Sequence, residues 1–351
     1  MKNIKFKNME SKKQNVYKAL GGSEQLEFPA YKTIYKGRKS NNSYSFVNGI
    51  KKADEICTEL MSIFDISNKE IFTEKFKQCC SGSGHEGGRI ATLHSSSLCA
   101  LLFFYNITEY NPWIMKVDEG EIVFTESVFE YQNAVINGRN PSNIDVVLIG
   151  RRKNTDCKVV FFLESKFAEY YLNVGQTLEI AQAYREDGCK IGKRIYDSKT
   201  FEEFEMVLDP DVNEKGNFRI TSKCTCYLEG IKQMISHYIG VRNAIDNPCG
   251  GDGREAKKNV CKAICNGADV LLGEILFTNK IGELEIGRIK DQSCYESYRT
   301  CYKNLSEVLN RETTADGVKR LTVLADLLTY DSLINQTKIE SRIKEFYFGG
   351  I

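Results

Sequence analysis

Apolar positions along the chain fall into short periodic stretches, and each stretch predicts an element. After Lys52, the residues Ile56, Leu60, Ile63 and Phe64 recur at three- and four-residue spacing, the stripe of an amphipathic helix. Ser67 and Glu70 form a capping-box pattern that starts a second helix toward Cys79. The apolar stretch Ser95 to Tyr105 reads as a buried helix. From Thr125, a candidate N-cap, a further helix is expected: Glu126 and Glu130 lie four apart on one face, Val128, Phe129, Val135 and Ile136 supply apolar flanks, and Gly138 to Pro141 end it. Ile144 to Gly150 is apolar apart from Asp145, and Val159 to Phe167 is apolar until Glu164 and Lys166, so both read as strands buried on two faces. Leu228, Ile231, Ile235, Tyr238 and Ile239 predict a helix over Tyr227 to Ile245. A strand is expected at Val270 to Thr278, with helices again in the C-terminal third, notably Val318 to Ile334. The sum is a mixed α/β fold: a mixed β-sheet flanked by helices, with N- and C-terminal helical additions.

The two apolar strands carry the chemistry. Asn154-Thr155, inside the polar segment Arg151 to Lys158, suits a tight turn, and a hairpin centred there sets Asp145 opposite Glu164. Lys166, two residues on, projects to the same face. Two carboxylates and an ammonium at the end of an apolar hairpin cost desolvation and like-charge repulsion, which a divalent cation would offset. Mg²⁺ uses one or two carboxylates and fills its remaining positions with water and phosphate oxygens, so the pattern points to phosphodiester hydrolysis, with Lys166 orienting or deprotonating the attacking water. The blander alternative is a surface ion pair of Glu164 with Lys166 or Lys158, which accounts poorly for charges set in Val-Val-Phe-Phe-Leu and Ile-Asp-Val-Val-Leu.

Composition narrows the class. The 351 residues are 42% hydrophobic and 27% charged, an ordinary globular balance. The longest apolar run, Leu98 to Tyr105, is about half the ~18 residues of a bilayer-spanning helix, and Met1 to Gln14 is polar, so a cytoplasmic protein without membrane association is expected. The 13 cysteines are odd in number and contain no Cys-x-x-Cys, which fits a reducing compartment. Cys224, Cys226, Cys249, Cys261 and Cys265 are zinc candidates, but their gaps do not follow paired zinc-ligand spacing; Cys57, Cys99 and Cys265 read as small buried hydrophobes. Net charge is +1, yet residues 1 to 52 hold twelve basic against three acidic residues, so this segment is +9 and the rest is -8. Aromatics interleave with its lysines and Arg38, as in a phosphate-tracking arm, although a solvated extension has the same composition.

Asp145 followed by Phe-Leu-Glu164-Ser-Lys166, after a glutamate-bearing segment, resembles the PD-(D/E)XK nuclease superfamily, whose members include restriction endonucleases, recombination exonucleases and Holliday-junction resolvases. The resemblance implies a restriction endonuclease-like core and a metal-dependent deoxyribonuclease. Asp145 and Glu164 would be Mg²⁺ ligands (Mn²⁺ able to substitute), Lys166 the water-activating residue, and Glu130, or Glu126 one turn earlier, the acid that the first core helix contributes to the metal site. Ile144 stands where the literal motif has proline, with Pro141 four residues before Asp145. Gln233 is similar to a glutamine that several lineages carry on the helix after the Glu-x-Lys strand; His237 takes the place four residues on, as a DNA contact or a support for the metal ligands, with Tyr238 next to it. Ser81 to Glu86, Ser95 to Ser97 and Gly138 to Asp145 look like segments of putative bacterial restriction-endonuclease proteins, which would set Glu86 near the metal or the DNA cleft. This implies a basic, helical extension over residues 1–80 and a nuclease-like domain over 81–351. DNA is the expected partner, with Arg151, Arg152 and Lys153 as phosphate contacts and a homodimer left open. Two alternatives stand beside this: a non-catalytic DNA-binding or assembly protein on the same fold, and a cysteine-based zinc or redox protein.

Overall fold

The computed structural model describes residues 31–35, 38–49, 51–81, 90–118, 120–136, 141–185, 189–197, 206–213, 216–246, 264–278, 293–315 and 321–348. Strands β1 (Tyr31–Tyr35) and β2 (Arg38–Ser45) form an antiparallel ribbon ahead of helices α1 (Ala53–Ile63), α2 (Lys69–Cys80) and α3 (Ser96–Phe104). Then come β3 (Trp113–Val117), β4 (Gly120–Asn133), β5 (Ser142–Arg152) and β6 (Lys158–Lys166). Next are α4 (Glu169–Leu172), β7 (Gly175–Ala181), α5 (Lys190–Asp197), β8 (Met206–Val212), β9 (Asn217–Cys226) and α6 (Leu228–Asp246). β10 (Asp269–Leu276), α7 (Ser293–Ala315), β11 (Leu321–Val323), β12 (Leu328–Thr329), α8 (Tyr330–Leu333) and α9 (Ser341–Phe348) complete the order.

The chain forms a mixed α/β fold around a seven-stranded sheet in the order β11-β10-β6-β5-β4-β3, with β12 also on β10. β3 to β6 are an antiparallel meander, whereas β10 joins β6 in parallel, from Asp269 beside Val159 to Leu276 beside Lys166. Helices cover both faces of this sheet. Ser165 and Glu164, adjacent on β6, point to opposite sides. Ser165 Oγ donates to the Ser96 carbonyl of α3 at 3.1 Å, while Glu164 meets His237 of α6 at 3.0 Å. α3 is apolar on every side and wholly buried from Ser97 to Phe104, as expected of a helix trapped between a sheet and other helices. Its N-cap Ser95 accepts the Leu98 N–H at 3.1 Å. The first and last described helices share one core, because Phe346 of α9 packs edge-on against Phe46 and Phe64. The strands β7, β9 and β8 form a separate three-stranded sheet between β6 and α6.

Three expectations give way. Residues 120–133 are strand β4, not part of a helix from Thr125. A bulge between Phe124 and Glu126 shifts the alternation by one residue. Beyond the bulge burial alternates, at Ser127, Phe129, Tyr131 and Asn133, whereas Glu126 and Glu130, four apart, share a face in a strand as in a helix and so could not tell the two elements apart. In place of a helix over Val318 to Ile334, the chain forms β11, β12 and the single turn α8. Leu321 to Val323 pair with Val270 to Leu272, and the Asn310 side chain bonds both the N–H and the carbonyl of Val323 at 2.9 Å, so sheet pairing wins over helical spacing. The N-cap of α2 is Asn68, whose Oδ1 accepts the Ile71 N–H at 3.3 Å; the neighbouring Ser67 bonds Glu340 instead. The hairpin, the buried helix at Ser95, the helix after Tyr227 and the strand near Val270 form as expected. No described helix is long and apolar enough to cross a membrane.

Candidate active site

The β5–β6 ladder runs from Arg151 beside Lys158 to Val146 beside Leu163, the register of a turn centred between residues 154 and 155. One residue further, Asp145 stands opposite Glu164, and its Oδ2 accepts the Ser165 N–H at 2.8 Å. Lys166 Nζ donates to Glu164 Oε1 at 2.5 Å, and both side chains are buried. Glu164 Oε2 lies 3.0 Å from His237 Nε2, without hydrogen-bond alignment. The other ring nitrogen, Nδ1, is 2.6 Å from Ser142 Oγ, so β5 and β6 hold the imidazole from both sides. His237 thus supports the Glu164 carboxylate.

Glu130 completes the acidic group. It sits between Phe129 and Tyr131, the partners of Val146 and Ile144, which puts it across from Asp145. Its φ of 50° is a left-handed conformation that costs a non-glycine residue on the order of 1 kcal/mol, and Asn143 Nδ2 donates to its Oε2 at 3.2 Å. Glu126 pairs with Ile149, four residues from Asp145 along the ladder and about 13 Å away at strand rise. Glu130 is therefore the acid that approaches Asp145. In a strand as in a helix, residues four apart share a face, so that part of the expectation survives the change of element.

Electrostatics separate the roles of these groups. Burial would raise the Glu164 pKa, but Lys166 and then His237 outweigh it and hold the carboxylate ionised. Asp145 has the opposite balance: burial and the Glu164 charge push its pKa well up against the pull of Lys166. Lys166 remains an ammonium, because Glu164, Tyr227, Asp145 and Glu169 overcome the burial that would deprotonate it. A further acid, Glu274, pairs with Glu164 in the parallel β6–β10 ladder and so shares its face. It is fully buried, its pKa is pushed up to about 8 chiefly by burial, and both its oxygens lie 2.8 Å from the Tyr298 hydroxyl of α7. Sequence reasoning passed over Glu274, although one carboxylate inside Val-Leu-Leu-Gly-Glu-Ile-Leu carries the same signal as Asp145 and Glu164.

Gln233 and His237 lie one turn apart on α6, and Gln233 Oε1 is buried with no hydrogen-bond partner. Arg151, Arg152 and Lys153 are not brought to this site. They occupy the turn end of the hairpin, about 20 Å from Glu164 at strand rise, and pair with Asp156, Asp269 and Glu121. Glu86 lies outside the described residues, as do residues 1–30, Cys249 and Cys261. Cys57, Cys99 and Cys265 are buried thiols.

Among the described residues, no three His, Cys, Asp or Glu side chains converge as a ready-made metal cage. Mg²⁺ does not require one, since it binds through one or two carboxylates and keeps several waters. Asp145 and Glu164 fit that requirement. Asp145 is under-compensated, and each Glu164 oxygen has a second lone pair beyond the one facing Lys166 or His237. Comparison with family models, curated proteins and solved structures found no match.

Proposed function

We propose that this chain is a Mg²⁺-dependent nuclease that hydrolyses phosphodiester bonds in DNA, a cytoplasmic restriction-type endonuclease on a core like that of the PD-(D/E)XK superfamily. The observation that carries this reading is the meeting of Asp145, Glu164 and Lys166 at the open end of one buried hairpin, with Glu130 across from Asp145. A cation bound there supplies Lewis-acid charge to a phosphate oxygen and to the attacking water. Asp145 and Glu164 would be its ligands, with Glu130 across from Asp145 on the neighbouring strand. His237, fixed by Ser142, holds the Glu164 carboxylate in place. Lys166 is an ammonium, so its part is to orient the water and to stabilise charge developing on the phosphate, not to take the proton. Gln233 has an acceptor left over for a phosphate-bound water. Mn²⁺ satisfies the same oxygen ligands.

The test is cleavage of supercoiled DNA, linear DNA and RNA in Mg²⁺, Mn²⁺ or EDTA, comparing the wild type with Asp145→Asn and Lys166→Ala. Metal-dependent DNA nicking that falls about 100-fold or more in both variants is expected. No cleavage of DNA by folded protein, or equal cleavage by variants and wild type, overturns the reading. Cleavage confined to RNA would overturn the substrate and keep the chemistry.

A further inference from the structure

Apart from the acidic site, two cysteines meet where α7 crosses the junction of β9 and α6. The Cys301 thiol donates to the Cys226 sulfur at 3.1 Å, and both side chains are buried. That separation is about 1 Å longer than a covalent S–S bond of ~2.05 Å. Both residues are thiols rather than members of a disulfide.

The packing around the pair fixes its geometry. Tyr298, three residues before Cys301 and on the same side of α7, meets Tyr227 edge-on at 5.3 Å between ring centroids. Thus two successive residues, Cys226 and Tyr227, contact one face of α7. Gly230 allows this approach, since a Cβ there would lie 2.3 Å from the Tyr298 hydroxyl and 2.6 Å from the Tyr227 ring. Cys226 also closes the three-stranded sheet, pairing with Gly175 where that sheet leaves the main body. The two sulfurs therefore join the root of the β7–β9–β8 excursion to a helix of the core.

We infer that Cys226 and Cys301 form a reversible disulfide latch, closed by a peroxide and reopened by a dithiol, that ties the root of this excursion to α7. The reaction balances with hydrogen peroxide as oxidant. Cys301 sulfur attacks one peroxide oxygen, water leaves and a sulfenic acid forms; Cys226 sulfur then attacks the Cys301 sulfur and the sulfenic oxygen leaves as a second water. Two thiols and one peroxide become one disulfide and two waters. The neighbour held at 3.1 Å resolves the sulfenic acid before an external thiol reaches it. This latch does not depend on the nuclease reading.

The experiment uses full-length protein with Cys157→Ser, which removes an exposed thiol. Reduced protein is treated with graded hydrogen peroxide, alkylated under denaturing conditions and mapped without reduction. The expected product is a Cys226–Cys301 cross-linked peptide pair, two hydrogens lighter than its parts and about tenfold more abundant than any other cysteine pair. Dithiothreitol should reverse it, and Cys301→Ser should abolish it. The link spans 75 residues of chain, so closing it should raise Tm by on the order of 5 °C. Recovery of Cys226 and Cys301 as alkylated thiols, or of either as a sulfinic acid, in a sample whose other thiols have reacted overturns the inference.

Discussion

Glu274→Gln isolates one buried proton. The Glu274 pKa is pushed up to about 8 from the ordinary 4.5, first by burial, and glutamine keeps the shape and an acceptor for the Tyr298 hydroxyl. Between those two values the folded state holds a proton that the unfolded chain releases, so wild-type stability falls as pH rises. The slope is about 1.4 kcal/mol per pH unit, and the whole window is worth roughly 5 kcal/mol. The contribution is fully present below pH ~4.5 and lost as pH approaches the folded value. Asp145 shifts in the same direction, but it is present in both proteins and largely cancels in the difference. Urea unfolding of wild type and variant at pH 5, 6, 7 and 8 measures the effect. The variant should gain on the wild type by about 4 kcal/mol across that range. A difference constant to within ~0.5 kcal/mol would mean that Glu274 is ionised in the fold, and would refute the reasoning.

Lys166→Met should cost about 3–5 kcal/mol at pH 7, because it strands Glu164 in the interior; the double variant Glu164→Gln/Lys166→Met should recover much of that loss by chemical denaturation, and equal costs for single and double variants would contradict a coupled pair. The depressed Glu164 pKa has the opposite sign to Glu274: its contribution is present above pH ~4.5 and is lost as pH falls below it. Glu164→Gln should accordingly flatten the acid limb of a thermal-melting series, and an unchanged limb would assign acid unfolding to other carboxylates. Gly150→Ala should cost about 3 kcal/mol or more, since its Cβ would sit 2.2 Å from the Val123 carbonyl oxygen and 2.7 Å from Phe124 Cα; a change under ~1 kcal/mol in urea would mean that the β4 bulge yields easily.

Much of the site was legible because charge in an apolar strand is rare and position-specific. Asp145, Glu164 and Lys166 stood out against Val, Phe, Leu and Ile, and the turn midpoint alone set two of them face to face. Glu130 lies on a strand where a helix was expected, since its four-residue spacing from Glu126 puts both on one face in either element. Other misses involve partners distant in sequence. Ser142 and His237 meet across 95 residues, and Tyr298 reaches Glu274 from a helix that local pattern could not orient. Arg151, Arg152 and Lys153, expected as phosphate contacts, stand at the opposite end of the hairpin from Glu164, a separation set by strand length. Val318 to Ile334 failed because its fate depends on an open edge of β10, which no local window contains.

The parallel union of β6 with β10 also sets an order of events during synthesis. Val159 pairs with Asp269, 110 residues later, so the hairpin leaves the ribosome long before its neighbour exists. Contacts of such separation form slowly, after the entropy of closing a long loop is overcome. Until then β6 is an open edge carrying an apolar run, with Glu164 and Lys166 at its end, and Glu274 has not yet been translated. A chain released early would therefore present an unpaired apolar strand, the form most exposed to intermolecular pairing.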